Sequence, residues 1–355
     1  MAFNRFRNRQ GRSNPFVTAL FGIGLFLGSF VLLFINEGRV DISKVARGSI
    51  AVSANQEQVN HQGELLAVSG VLHADATISD PELLNTGEFL YLRRDVEMYA
   101  WDEERNSDSD NNASSTNRYE YNREWTDNPQ DSNQFNRPNG HYNPPMRYQG
   151  EVFRVEHAEI GRFSVAPDQL LFMQQRDLPL SSNIILDGRI EEEYLFIGSG
   201  SLAQPDIGDL RIQFSTFEND QQVTVFGAQN ENRLQPFTGP KDSLLYRVYP
   251  GDRDTAIEAM RTEFLTILWG FRAAGIGMMW LGLMTMVSPL TNLIGNVPIV
   301  GGLGRFAAAF VFLFVAIVLG SITIVISAIL NSIVAMIVIF ILLIGGFFYW
   351  RSRQE

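Results

Sequence analysis

The side chains able to carry catalysis or hold a metal are few and scattered. Four histidines, His61, His73, His141 and His157, stand far apart. None shows the His-x-x-x-His or Glu-x-x-His spacing that sets two ligands on one helix face. His157-Ala158-Glu159 comes nearest, because residues two apart share a strand face, although a surface contact is the simpler reading. The triplets Asp102-Glu103-Glu104 and Glu191-Glu192-Glu193 concentrate carboxylates, but neighbours on a strand or loop point apart and read as solvated surface. Gly198-Ser199-Gly200-Ser201 lacks the trailing lysine of a phosphate loop, and Gly301-Gly302-Leu303-Gly304 only borders an apolar run. The chain has no cysteine, which excludes thiol catalysis and palmitoylation. The reading is of a non-enzymatic protein with no cofactor and no metal.

One charged residue stands out by its surroundings. Arg272 sits at the edge of an apolar stretch, where a charge costs energy unless headgroups or a partner receive it. The expectation is that it contacts lipid phosphate or an acid on its own helix, such as Glu263. Paired ionisable groups of the kind that line ion pathways are missing from the apolar runs.

Those runs are four. Residues 16–35 are 20 uncharged positions, enough at about 1.5 Å per residue to cross a bilayer core of roughly 30 Å. No small-x-small cleavage site follows, so the run reads as a retained anchor. Residues 306–350 carry no charge and are long enough for two spans, 306–330 and 333–350, folded back at Asn331-Ser332. A further span lies at 273–287, extending back through Arg272, with Pro289 behind it. Arg5, Arg7, Arg9 and Arg12 at one end, and Arg351 and Arg353 at the other, place both tails in the cytoplasm by the positive-inside rule. Gly24 and Gly28 in the first span, with Gly275 and Gly282 in the second, are candidate sites for close helix packing.

Between the first two spans the composition changes. The chain carries a net charge of −11, yet residues 37–263 hold 38 of the 39 acids and 20 of the 28 bases, which makes that block −18 and leaves +7 for the rest. An acidic block offers no footprint for nucleic acid. Period-two patterning predicts strands at 64–73, 89–101, 118–126, 151–156, 161–165, 183–186, 193–198, 209–217, 221–228 and 244–249. Residues 102–117 read as a solvated hairpin loop, and 126–148, with four prolines, as an irregular excursion that is either a binding loop or packed coil. A short helix is predicted from Pro167 through Gln174. Another, at 253–271, carries a stripe through Ile257, Met260, Phe264 and Phe271, lying on the membrane surface or packed on the domain's own sheet.

Particular strings add to these patterns. Asn36-Glu37-Gly38-Arg39 after the first span, Val96 to Trp101, Gly140-His141-Tyr142-Asn143-Pro144, Ile160-Gly161-Arg162-Phe163, Gly208-Asp209-Leu210-Arg211-Ile212 and Phe271-Arg272-Ala273-Ala274-Gly275 occur in that order. Together with the one-plus-three layout of spans they resemble the transmembrane protein 43 family, also called LUMA. The resemblance implies a four-span protein with cytoplasmic ends, a large luminal domain and no known catalysis. It also implies residence in the endoplasmic reticulum or inner nuclear membrane of animals, with self-association and partners such as emerin and lamins. A bacterial member would instead sit in the inner membrane with a periplasmic domain and no lamina, so the nuclear role is not carried over.

The fold expected is therefore an α+β membrane protein. It divides into a basic tail (1–15), a first span (16–35), a β-rich extracytoplasmic domain (36–252), an amphipathic helix (253–271), a three-helix membrane region (272–350) and a short tail (351–355). Asn36, Glu37, Gly38, Arg39, Phe264, Phe271 and Arg272 are the candidates at the membrane interface. The function expected is a self-associating scaffold that meets membrane lipid and unidentified protein partners. The alternative is a membrane enzyme or lipid-handling protein using the apolar face near Phe264 and Phe271.

Overall fold

A computed structural model of the chain describes residues 15–56, 60–85, 87–108, 116–294 and 302–332. The predicted fourth span at 333–350 and both basic tails lie outside them. Four α-helices occur among the described residues: α1 (Pro15–Glu37), α2 (Ile42–Arg47), α3 (Arg253–Ile294) and α4 (Gly302–Leu330). Helices α1, α3 and α4 are long and apolar enough to cross a membrane. Large apolar side chains such as Phe16, Phe21, Val31, Phe310, Phe314 and Val325 face outward on α1 and α4, as lipid contact requires and water does not favour.

The chain divides into two compact units. One comprises Ile42–Ser107 with Thr116–Arg261, and the other contains α1, most of α3, and α4. In the first unit five strands close into a barrel. Going round, Leu65–His73 pairs with Ala158–Ile160, that strand with Phe163–Val165, then Arg233–Gln235, then Gln221–Asn230, which returns to Leu65–His73. Leu66, Val68, Leu72, Ile160, Phe163 and Val223 fill the core with other buried side chains. Gly161 turns the short hairpin at φ +57°, where a Cβ would lie 2.1 Å from the Ala54 carbonyl oxygen, which accounts for glycine in the string Ile160-Gly161-Arg162-Phe163.

The strand Leu65–His73 does not alternate as its sequence suggests. Leu65, Leu66, Ala67 and Val68 are all buried, because the outward face, carrying Leu65, Ala67 and Phe226, packs beneath Ala46 of α2 and Ala256, Ile257 and Met260 of α3. The first turns of the predicted amphipathic helix thus cover the domain's own sheet. They are also continuous with the second span: 253–271 and 273–287 form one 42-residue helix that runs on past Pro289.

A second, open sheet stands beside the barrel in the order Arg189–Glu191, Tyr194–Ile197, Leu210–Glu218, Phe89–Asp108, Thr116–Thr126. Its core is Leu83, Leu92, Val96, Met98, Leu195, Ile212 and Phe214, and Arg94, 2% exposed, is held there by Asp80, Glu82 and Glu151. The hairpin strands run further than predicted, to Asp108 and again from Thr116. Asp102 to Asp108 and Thr116-Asn117 are all polar in sequence, so hydrophobic period gives no sign of the extension. Two other expectations fail. Residues 167–170 make a single turn on the Ala166 carbonyl before the strand Leu171–Phe172, since burial of Leu170 and Phe172 in the barrel core outweighs helical spacing. Residues 183–186 supply only an isolated bridge between Ile185 and Leu84.

Candidate functional site

In the membrane unit the last turn of α1 leaves the apolar run and places Asn36 and Glu37 against α3. Glu37 accepts two hydrogen bonds from Arg272, at Oε1 from Nε and at Oε2 from Nη2, both at 2.8 Å. The pair is nearly enclosed, with side-chain exposures of 5% for Glu37 and 17% for Arg272. Two parallel bonds from the planar guanidinium make this the strong form of an ion pair. Trp269, one turn back on α3, lies under the guanidinium at 4.7 Å. A carboxylate at a helix C-terminus opposes the macrodipole, so Glu37 is tolerable there because Arg272 compensates it.

The acid that meets Arg272 is therefore Glu37 rather than Glu263. Glu263 lies nine residues earlier on the same helix, roughly 13 Å along its axis, beyond a side chain's reach. Around the ion pair the other interface candidates assemble. Asn36 donates from Nδ2 to the Leu268 carbonyl at 3.0 Å, while its Oδ1 is buried without a partner among the described residues. Arg39 lies 4.6 Å over the ring of Phe271. Asn331, at the end of α4, donates to the carbonyls of Ser327 at 3.0 Å and Phe34 at 3.4 Å. A Cβ on Gly38 would lie 2.8 Å from Asn331 Oδ1. Ends of α1 and α4 and the middle of α3 are thus latched together by polar groups. Phe264 is not drawn in.

The glycine candidates separate into two kinds. A Cβ on Gly282 would lie 2.7 Å from the Phe26 nitrogen and 2.9 Å from the Gly22 carbonyl, and one on Gly22 would meet Met286 N and Gly282 O. This is a backbone-to-backbone crossing of α1 and α3 that only small residues permit. Gly275 makes room for Leu33, which is fully buried, and Gly28 for the end of Met278. Gly24 has nothing within 4 Å, and Gly22, its neighbour by two, was the position missed. Spacing alone cannot tell the two apart, since both recur at helical period with Gly28 or with apolar neighbours.

In the β-rich unit two of the strings meet. Gly208, at φ +96°, has Pro144 where its Cβ would stand. The next residue, Asp209, 3% exposed, accepts from the backbone N–H of Ser199 (3.0 Å), Gly200 (3.1 Å) and Asp206 (2.8 Å). The Gly-Ser turn is thereby a structural anchor around one carboxylate. Asn143 clasps the Pro-rich excursion to the hairpin: its Oδ1 accepts from Trp101 N at 2.7 Å and its Nδ2 donates to the carbonyls of Trp101 and Gln130. His141 stacks on Tyr121 and meets Trp101 edge-on. Asn143 and His141 thus hold the excursion, as coil, against the hairpin.

The remaining chemical candidates do not converge. His61 pairs with Glu64 and His73 with Asp220, while His157 and Glu159 lie exposed. The acid triplets diverge: Asp102 takes Gln130 and Glu103 takes Tyr121, and Glu191 is held below the usual carboxylate range by the Leu202 N–H and then Arg189. Among the described residues no group of three or more His, Asp or Glu side chains is placed to hold a metal ion.

Residues 98–332 match the family model described as Transmembrane protein 43. The chain belongs to the transmembrane protein 43 family. Transmembrane protein 43 of Homo sapiens is 30% identical over 308 residues, covering 78% of this chain and 75% of that protein. The rat protein of the same name is 29% identical over the same length, and the Transmembrane protein 43 homolog of Drosophila melanogaster is 26% identical over 299 residues, 79% of each. No solved structure matches. The family match takes in Arg272 and Asn331 and begins after Asn36–Arg39, so Glu37 enters the site through geometry and not through the matched region.

Proposed function

We propose that this chain is a non-enzymatic, membrane-anchored scaffold: four spans with both tails in the cytoplasm hold the β-rich domain on the opposite face, where it organises partner proteins and further copies of itself. The supporting observation is the polar latch of Glu37, Arg272, Asn36 and Asn331, which fastens α1 to α3 and α4. A scaffold needs its anchors fixed relative to each other, and the latch, with the Gly22–Gly282 crossing, does this without offering a reactive or titratable group to solvent. In a bacterium the domain is periplasmic, and in a eukaryote luminal. Lipid is the expected neighbour of the spans. Purification in detergent or nanodiscs, followed by mass measurement and imaging, tests the reading: the expectation is a defined assembly of several copies, and a strictly monomeric particle would sink it. A lipid-handling role draws on a different observation, an apolar groove between α1 and α4 lined by Phe30, Val31, Phe34, Leu319, Ile322 and Ile326. Retention of a stoichiometric lipid in that groove through purification would favour the second reading.

A further inference from the structure

The open sheet ends at the strand Thr116–Thr126, and its outer edge can be read residue by residue. Three contacts fix its register on the neighbouring strand: Tyr99 packs on Trp125 at 5.4 Å, Arg123 lies over Trp101 at 5.3 Å, and the Tyr121 hydroxyl donates to Glu103 at 2.5 Å. The N–H and C=O of Tyr99 bond the other way, to Asp209 O and Gly208 N, both 2.9 Å, and those of Trp101 bond Asn143. In an antiparallel ladder both groups of a residue point to one side, and facing residues alternate between bonded and non-bonded pairs. Trp125 and Arg123, opposite Tyr99 and Trp101, therefore aim their N–H and C=O groups out of the sheet, and by the two-residue period so do Tyr121 and Tyr119. Among the described residues these backbone groups have no hydrogen-bond partner. Such an edge is a template for another strand.

We infer that the edge pairs with the same strand of a second copy, antiparallel and centred on Tyr121. The inference deepens the scaffold reading, resting on its expectation of self-association. Of the two-fold pairings that join the outward groups at odd positions, those that overlap nearly the whole of the 11-residue strand are centred on residue 120, 121 or 122. Centring on 120 sets Glu120 against its own copy, and centring on 122 sets Glu120 against Glu124 twice. Centring on 121 sets Arg118 against Glu124 twice, Glu120 against Asn122 twice, and Tyr119 beside Arg123. These side chains are available for such pairing, with Arg118 71% and Glu120 51% exposed and Glu124 also exposed. Directly opposed unlike charges stabilise a ladder and like charges destabilise it, so charge selects one register of the three. Backbone bonds supply the attraction, and the side chains choose the alignment.

The absence of cysteine makes the register measurable on the full chain. Arg118 and the partner copy's Glu124 would form a non-bonded pair, whose Cα separation of about 4.5 Å suits a disulfide. The full-length Arg118→Cys and Glu124→Cys variants, mixed in detergent and mildly oxidised, should cross-link to each other, with little dimer from either alone or from Glu120→Cys or Asn122→Cys alone. Arg118→Glu should weaken the dimer about tenfold by opposing like charges at two symmetric positions, and adding Glu124→Arg should restore it. Self-cross-linking at 120 or 122, or failure of the charge swap to rescue, overturns the register. An assembly that persists by mass without the 118–124 cross-link overturns the edge pairing while leaving the scaffold reading intact, and a monomer overturns both.

Discussion

At the scale of single residues, the ion pair of Glu37 and Arg272 makes an asymmetric prediction. Removing one partner leaves a nearly enclosed charge uncompensated, whereas removing both leaves a site that lipid and neighbouring side chains can fill. Arg272→Leu is expected to lower stability by about 3 kcal/mol, and Glu37→Leu combined with Arg272→Leu to recover most of that loss. Thermal unfolding in nanodiscs measures both. If the double variant is no more stable than Arg272→Leu, the pair is not what the arginine loses. Asp209 presents the complementary case in the β-rich unit. Its carboxylate accepts three backbone N–H groups; Asp209→Asn turns an NH2 toward donors and should cost about 2 kcal/mol, visible as increased proteolysis at 199–206.

At the scale of elements, glycines that look alike in sequence behave differently. Gly282→Ala drives a Cβ into the backbone of α1, so it should part α1 from α3 and lower stability by about 2 kcal/mol or more. Gly24→Ala, with open space around it, should be neutral or slightly stabilising through helix propensity. Equal effects from the two would remove the crossing as a determinant. Most elements were legible: the first span, α4, the long strands and the tie between α3 and the membrane follow from period and run length. What escaped detection did so for physical reasons. Ala158–Ile160 and Arg233–Gln235 are strands only because barrel closure supplies neighbours, and α2 is six residues whose Ala46 is covered by tertiary packing. The site was half legible. Arg272 stood out in sequence and Glu37 was one of the interface candidates, but pairing residues 235 apart needs the helix packing itself, so the nearer Glu263 was the natural wrong partner.

At the scale of the whole molecule, the −11 net charge conceals a domain in which a few ionisable groups are held by specific partners. Asp252 caps α3 through the Thr255 N–H at 2.8 Å, and that bond holds its carboxyl below the ordinary range. Asp131 and Glu191 are depressed by backbone N–H groups as well. Groups lowered in the folded state contribute stability above their unfolded values, near pH 4, and lose it as pH falls through the folded ones. His73 runs the other way, raised by its bond to Asp220 and then Asp75. Its contribution is complete below the unfolded value near 6.5 and fades as pH rises through the folded one. Denaturant titrations should thus show an acid decline below about pH 4, and His73→Gln should flatten the slope that begins above about pH 6.5. Impermeant thiol reagents test the proposed orientation: a cysteine replacing Asn122 should label from the face opposite the tails, and one replacing Ser352 should not. The barrel also imposes a schedule on synthesis. Its seam joins Leu65–His73 to Gln221–Asn230, some 150 residues apart, so α1 and the first barrel strand emerge long before the strand that completes them. Long-range pairing of this kind is slow and leaves apolar edges open meanwhile. By that pairing the barrel stays incomplete until the chain has nearly reached α3, and its first strand keeps an open edge for the whole of that interval.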